Sequence, residues 1–305
     1  MTLLAWLKLI CILLVCIMAV FMACYIILMR QAKRLRVVRE DFTADGGEGT
    51  VFVHISDLHV ERLLISWKNI CNTIREERPA FVLLTGDLCS TLQQTGRVLS
   101  FVDLLASRAG CPIYITFGNH DNGLFADRPD LKKEYIRRLE ALSAYVKILD
   151  NEAIRDGSLL IGGIEDYQLR GLQRPHRRGK QKAGPHPETE AETEKRIHAM
   201  VSGWQQEAAA GNLKFLLASH NPDILLYLNG IHPDLAVCGH THGGQIWMPF
   251  HLEFIALRHD RLPRKGIFYG RHCFNGIPLY ITSGLGCSVV PLRFRSCGEI
   301  AVLKI

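Results

Sequence analysis

Apolar runs of two kinds punctuate this chain. The first kind occurs once: Leu9 to Met29 carries no charge and is almost wholly hydrophobic. As a helix, about 21 such residues extend about 31 Å, enough to cross the hydrocarbon core of a bilayer. Trp6 and Tyr25 stand near its ends, as interfacial aromatics do. The second kind is short and recurs. VFVHISDLH (Val51 to His59), FVLLTGD (Phe81 to Asp87), IYITFGNHD (Ile113 to Asp121), KFLLASHNPD (Lys214 to Asp223) and LAVCGHTHGGQ (Leu235 to Gln245) each open with an apolar stretch of strand type and stop on polar residues.

Continuous apolar runs of this length are those of strands buried on both faces. Between them lie segments with helical signals. Ile65 to Glu77 reads as a helix closed by Pro79, and Gly96 to Ser107 as one closed near Gly110 and Pro112. Leu131 to Tyr145 and Thr193 to Ala210 read as further helices. Leu159 to Ile164, Ile246 to Ile255, Ile277 to Thr282 and Ile300 to Ile305 read as strands. The alternation is that of an α/β fold.

The segment from Gly171 to Lys195 loses apolar character, passing from basic (Arg174, Arg177, Arg178, Lys180, Lys182) to acidic (Glu188, Glu190, Glu192, Glu194), and it reads as a surface loop. It lacks the interleaved aromatics of a nucleic-acid surface, and no nucleic-acid partner is expected.

With 305 residues and 48% hydrophobic content, the chain can bury one large domain with accessories. The net charge of +6 is mildly basic, and part of the excess sits directly after the long apolar run, in Arg30, Lys33, Arg34, Arg36 and Arg39. A cleaved signal peptide is disfavoured because the run is too long and no small-x-small site follows it. Phe21, Met22 and Ala23 make a poor lipobox before Cys24. The expected organisation is therefore an anchor over residues 1–29, a basic juxtamembrane linker over 30–49 and one large domain over 50–305, in which the candidate catalytic chemistry lies. The positive-inside rule places that domain on the cytoplasmic side of a membrane that the chain crosses once. The 10 cysteines show no CxxC spacing, which suits reduced thiols.

Candidate chemistry lies where the short runs stop. Asp57, Asp87 and Asn119 offer oxygen, while His59, His220, His240 and His242 offer imidazole nitrogen. Strands of one parallel sheet end on the same edge, where open α/β folds bind ligands, so the stops point to one site. A mixed O/N set without thiolate suits manganese, iron or zinc, and more than four donors suggests two ions. Such a pair activates water and clamps a phosphoryl group for in-line attack. His54 reads as a core histidine. His176, His186, His198, His232, His251, His259 and His272 have no partner at metal-ligand spacing and read as surface groups.

Together, DLH, GD, GNHD, SHNPD and GHTHGGQ resemble the calcineurin-like metallophosphoesterase superfamily, from about Val51 to the end of the chain. The resemblance implies two packed mixed β-sheets flanked by helices, a four-layer sandwich, here preceded by one transmembrane helix. It implies that Asp57, His59 and His242 hold one divalent ion, that Asn119, His220 and His240 hold the second, and that Asp87 bridges them, with manganese placed ahead of iron or zinc. His120 would assist the leaving oxygen, and Asp121 would orient it. The tail SGLGCSVVPLRFRSCGEI is similar to a membrane-anchored bacterial branch that includes UDP-2,3-diacylglucosamine pyrophosphatases. That likeness implies a lipid-linked nucleotide substrate, the bilayer as a partner, and lipid A biosynthesis as the setting. Arg293 and Arg295 are candidates for pairing with substrate phosphate. Oligomeric state is not legible.

Overall fold

The computed structural model describes residues 3–166, 190–256 and 260–305. The surface segment expected over Gly171 to Lys195 lies largely outside these residues, as do His176, His186 and His259. Helix α1 (Leu3–Ala32) is long and apolar enough to cross a membrane, and its apolar side chains are exposed along most of its length. It continues past Met29 because Arg30, Gln31 and Ala32 favour helix, and it stops where Ala32 packs into the domain.

The strands in chain order are β1 (Leu35–Asp41), β2 (Val51–Ile55), β3 (Val82–Thr85), β4 (Ile113–Thr116), β5 (Val146–Ile148) and β6 (Glu152–Asp156). They continue with β7 (Leu159–Ile164), β8 (Lys214–Ser219), β9 (Leu235–Cys238), β10 (Gly270–Phe274), β11 (Ile277–Ile281) and β12 (Gly298–Lys304). The longer helices after the anchor are α2 (Trp67–Glu77), α3 (Thr95–Ala109), α4 (Asn119–Phe125), α5 (Pro129–Glu140) and α6 (Glu190–Ala210), followed by short α7 (Leu252–Ala256) and α8 (Arg261–Arg264).

Two mixed sheets result, ordered β1-β12-β2-β3-β4-β5 and β10-β11-β9-β8-β7-β6. In the first, β2 to β5 run parallel while β12 opposes β2; in the second, β7, β8, β9 and β11 run parallel while β6 and β10 oppose their neighbours. Strand alternation sorts the side chains into layers. Phe52, Leu83, Ile161, Leu216 and Val237 point between the sheets. Val53, Val82, Leu84 and Ile113 face outward against Ile70, Ile74, Val102 and Leu105 of α2 and α3. Leu160, Leu217 and Ala236 meet Ile197 and Val201 of α6 on the far side. Each such side chain contributes about 1.5–3 kcal/mol of burial. Because both sheets are covered on both faces, their central strands read as unbroken apolar runs. His54 belongs to this interior: its Nε2 lies 2.8 Å from Thr85 Oγ1, and burial pushes its pKa down to about 3.

The structure revises several expectations. Residues 30–49 are not a linker throughout. Leu35 to Asp41 pairs in parallel with β12, with Leu35 and Val37 on the helix-covered face and Val38 facing the other sheet, so the folded unit begins at Leu35 rather than at residue 50. Ile246 to Ile255 is no strand: only Ile246 bridges to Phe294, and the chain then turns at Pro249 into α7. Proline has no N–H for a ladder, which limits the pairing. The helix expected to reach Tyr145 ends at Glu140, and Val146 opens β5. The stops of the apolar runs also lie on two sheets rather than one.

Candidate metal centre

The carboxyl ends of β2, β3 and β4 from one sheet meet those of β8 and β9 from the other. Backbone hydrogen bonds register the ends: Asp57 N–H donates to Gly86 O at 3.0 Å, His59 N–H to Asp87 O at 3.0 Å, and Gly239 N–H to His220 O at 2.9 Å. Gly86 lies at φ +75°, and a Cβ there would strike the backbone of Gly118, so the ends of β3 and β4 come this close only with glycine at the crossing. The donors themselves sit on strained backbone. Asp57, His59, Asp87, His240 and His242 all have φ between +37° and +70°. For non-glycine residues this costs about 1–3 kcal/mol each, and it turns the side chains inward.

Three groups of side chains bring their donor atoms within 4.8 Å of one another: Asp57, His59 and His242; Asp87, His220 and His240; and His59, Asp87 and His120. His242 Nε2 lies 3.2 Å from Asp57 Oδ1, and His220 Nε2 3.2 Å from Asp87 Oδ2. His59 Nε2 lies 3.5 Å from the same Asp87 oxygen, so Asp87 stands between the first two groups. His220 Nε2 is also 3.2 Å from His240 Nδ1. Asn119 opens α4 next to Asp87, whose Oδ1 accepts the N–H of His120 at 2.9 Å.

Electrostatics follow from burial against mutual attraction. Burial opposes the charge on Asp57, yet His242 and His220 outweigh it and hold the carboxyl at about 2. Burial likewise opposes the charge on Asp87, but His220, His59 and His120 keep it well below the usual carboxylate range. Burial lowers His59, while for His220 the two carboxylates overcome burial and raise the imidazole well above its ordinary value.

The donors fit divalent cations. Asp57 Oδ1, His59 Nε2 and Asn119 Oδ1 are buried and make no hydrogen bond, an arrangement that costs free energy unless something positive meets those lone pairs. No cysteine approaches as a ligand, and all ten are free thiols. The outer atoms of the imidazoles are fixed by neighbours, as in metal sites generally. His220 Nδ1 lies 2.8 Å from Thr85 O, His59 Nδ1 3.2 Å from Ser90 Oγ, and His240 Nε2 3.2 Å from Asp260 Oδ1. Asp260 and Ser90 were not anticipated from sequence. A partial signal for Asp260 lay in SHNPD: Asp223 accepts the N–H groups of Arg261 at 2.6 Å and Leu262 at 2.8 Å, which anchors the start of α8 beside His240.

His120 is more open than the donors, with 38% of its side chain exposed, and its ring meets that of His59 edge-on at 5.0 Å between centroids. Asp121 does not orient it. Its carboxylate instead accepts N–H groups of Leu88, Cys89 and Gly118, clamping the Asp87 loop, and burial raises it to about 7.

Arg293 is not positioned for substrate phosphate. Fully buried, it donates to the carbonyls of His242, Ser283, Gly284, Gly286 and Cys297 and to Ser296 Oγ, tying the His242 loop to the glycine-rich turn. Arg295 is exposed, its guanidinium 4.5 Å over the ring of Trp247.

A buried cluster of carboxylate, amide and imidazole donors with a half-exposed histidine at its edge is chemistry of the metal-dependent hydrolases. Sequence comparison agrees. The model of the calcineurin-like phosphoesterases matches residues 50–244, and the chain belongs to that family of metal-dependent phosphoesterases. Among its relatives are the metallophosphoesterase YkoQ of Bacillus subtilis, 26% identical over 83% of this chain and 82% of that protein, and YkuE of the same organism, 23% identical over 88% and 83%. Phosphodiesterase YaeI of Escherichia coli is 27% identical over 87% of this chain and 85% of its own length.

Proposed function

We propose that the protein is a membrane-anchored, dinuclear phosphohydrolase that cleaves a phosphodiester or pyrophosphate in a lipid-linked substrate. The observation that carries this reading is the pair of donor groups on either side of Asp87. In it Asp57, His59 and His242 hold one divalent ion, and Asn119, His220 and His240 the second, with Asp87 shared. When bound, the two cations, manganese before iron or zinc, supply the Lewis acidity that ionises water and neutralises charge gathering on phosphate.

The chain's own residues do the rest. His240 and His220 keep their ligating orientation through Asp260 and the Thr85 carbonyl. Asp121 and Arg293 hold the two ligand loops in place. His120 stands at the open side, where an imidazolium donates a proton to the departing oxygen. An apolar α1 supports the lipid-linked part of the reading, because a tethered enzyme meets a membrane-bound substrate at high effective concentration. The substrate first in line is UDP-2,3-diacylglucosamine, cleaved to 2,3-diacylglucosamine 1-phosphate and UMP, with the domain on the cytoplasmic side of the inner membrane. A phosphodiesterase of broader scope is the second reading, favoured by the printed name of YaeI.

The deciding experiment incubates manganese-loaded full-length protein with UDP-2,3-diacylglucosamine in detergent and identifies the nucleotide released. UMP is the expected product. Its absence, alongside brisk hydrolysis of bis(p-nitrophenyl) phosphate, would transfer the assignment to the second reading.

A further inference from the structure

Among the described residues outside α1, the two large apolar side chains most open to solvent, and three further exposed ones, gather on two loops, with only Tyr145 and Leu131 exposed elsewhere. Phe250 is 88% and Val289 81% exposed, and Leu252, Val290 and Phe294 are also exposed. The loops are stitched together. Ile246 bridges to Phe294, Phe294 N–H donates to Gln245 O at 2.8 Å, and Gln245 Nε2 donates to the carbonyls of Val290 and Leu292 at 2.8 and 3.0 Å. The second of these loops is fastened to the end of α1, and the first is held to α1 only through it: Arg293 N–H points to Leu28 O at 3.4 Å, and Arg295 N–H donates to Gln31 Oε1 at 2.7 Å. Residues up to Ile27 on α1 are largely exposed, Leu28 and Met29 are half-buried, and Ala32 is buried. The apolar loops therefore lie beside the point where the apolar helix leaves the domain.

We propose that these two loops are a second membrane contact, with Phe250, Leu252, Val289, Val290 and Phe294 entering the boundary between headgroups and acyl chains around α1. The proposal rests on the reading of α1 as a membrane anchor and is independent of the phosphohydrolase chemistry. Depth along the helix supports it. Leu28 precedes Arg30 by two residues, so at 1.5 Å per residue it lies about 3 Å nearer the hydrocarbon than the first headgroup-level cation. The loop that Leu28 touches is thereby set at the interface. Arg30, Lys33 and Arg34 follow on the domain side, and Arg295 stacked on Trp247 pairs a cation with an indole, the residue type enriched at membrane interfaces.

A bilayer suits this surface better than a second protein copy, because the apolar side chains are continuous with a helix that is itself apolar on all sides. The contact also fixes the metal centre relative to lipid. The first loop begins just after His242, and Arg293 in the second holds the His242 carbonyl.

The test uses full-length protein in nanodiscs of phosphatidylethanolamine and phosphatidylglycerol. With the exposed Cys11, Cys24 and Cys273 replaced by Ala, and Cys16 also replaced except where it is the reporter, an environment-sensitive fluorophore is placed on Phe250→Cys, Val289→Cys, Glu134→Cys or native Cys16. Labels at 250 and 289 are expected to shift to shorter wavelength and to lose intensity to lipids carrying a nitroxide high on the acyl chain, and the label at Cys16 to lipids carrying it near the chain end, while the label on Glu134→Cys does neither. Water-like emission at 250 and 289 with a quenched label at Cys16 would overturn the second contact and leave the anchor standing. An unquenched label at Cys16 would overturn both. Shielding at 250 and 289 that nitroxide lipids do not quench, and that vanishes at one chain per disc, would assign the surface to a second copy and overturn the proposal.

Discussion

The layer between the two sheets and the edge where their strands end are made of the same strands under opposite rules. In the layer, Phe52, Leu83, Ile161 and Val237 are fully buried, apolar and on regular extended backbone. At the edge, Asp57, Asp87, His59 and His242 are just as buried, yet charged or polar and on left-handed backbone. The first region stabilises the fold; the second draws on that stability to hold groups that would otherwise stay in water. Clamps outside the donor set make this workable, since Asp121 and Arg293 satisfy the backbone of the loops that carry the donors.

The widest gap between the regions should show at Asp87, which stands between the two donor groups. Asp87→Ala is expected to abolish measurable phosphodiesterase turnover and cut the bound metal measured by elemental analysis, with melting in the metal-free state little changed, since burial of a charge is relieved while the left-handed backbone stays strained. A metal content equal to wild type would remove Asp87 from the centre. His120→Ala should lower kcat by about 10²–10⁴ while leaving metal content unchanged, the span of general acid catalysis. A loss confined to KM would instead make His120 a binding group.

On the structural side, Arg293→Met should cost at least about 3 kcal/mol in denaturant unfolding, because several buried carbonyls lose a charged donor together. A stable variant with weakened substrate binding would return Arg293 to a phosphate-binding role. Leu83→Ala should cost about 2–5 kcal/mol through its cavity and leave kcat/KM of the folded protein intact. A catalytic defect there would mean that layer and edge are less separable than their chemistry suggests.

Much of the architecture was legible because buried strands announce themselves. The runs ending at Ile55, Thr85, Thr116, Ser219 and Cys238 became β2, β3, β4, β8 and β9, and the helices after the first two lie where proline and glycine marked their ends. Short edge strands were harder to see. β5 spans three residues and β6 five, with polar side chains on their open side, so their apolar content is too small to stand out. β1 was hidden by its arginines. Its partner β12 lies at the other end of the chain, and Arg36 is accommodated by Glu299 at 2.8 Å, which no local pattern reveals.

For the centre, the residue types and their places after apolar runs were set by sequence alone, because metal-binding chemistry restricts which side chains serve and strand ends restrict where they stand. Tertiary structure decided the neighbours. Ser90 and Asp260 reach their imidazoles, and Arg293 and Asp121 turn to backbone rather than to substrate or His120, through contacts between segments remote in the chain. Side-chain chemistry is local and can be read residue by residue. Which lone pair a buried donor meets is settled only when the two sheets close on each other.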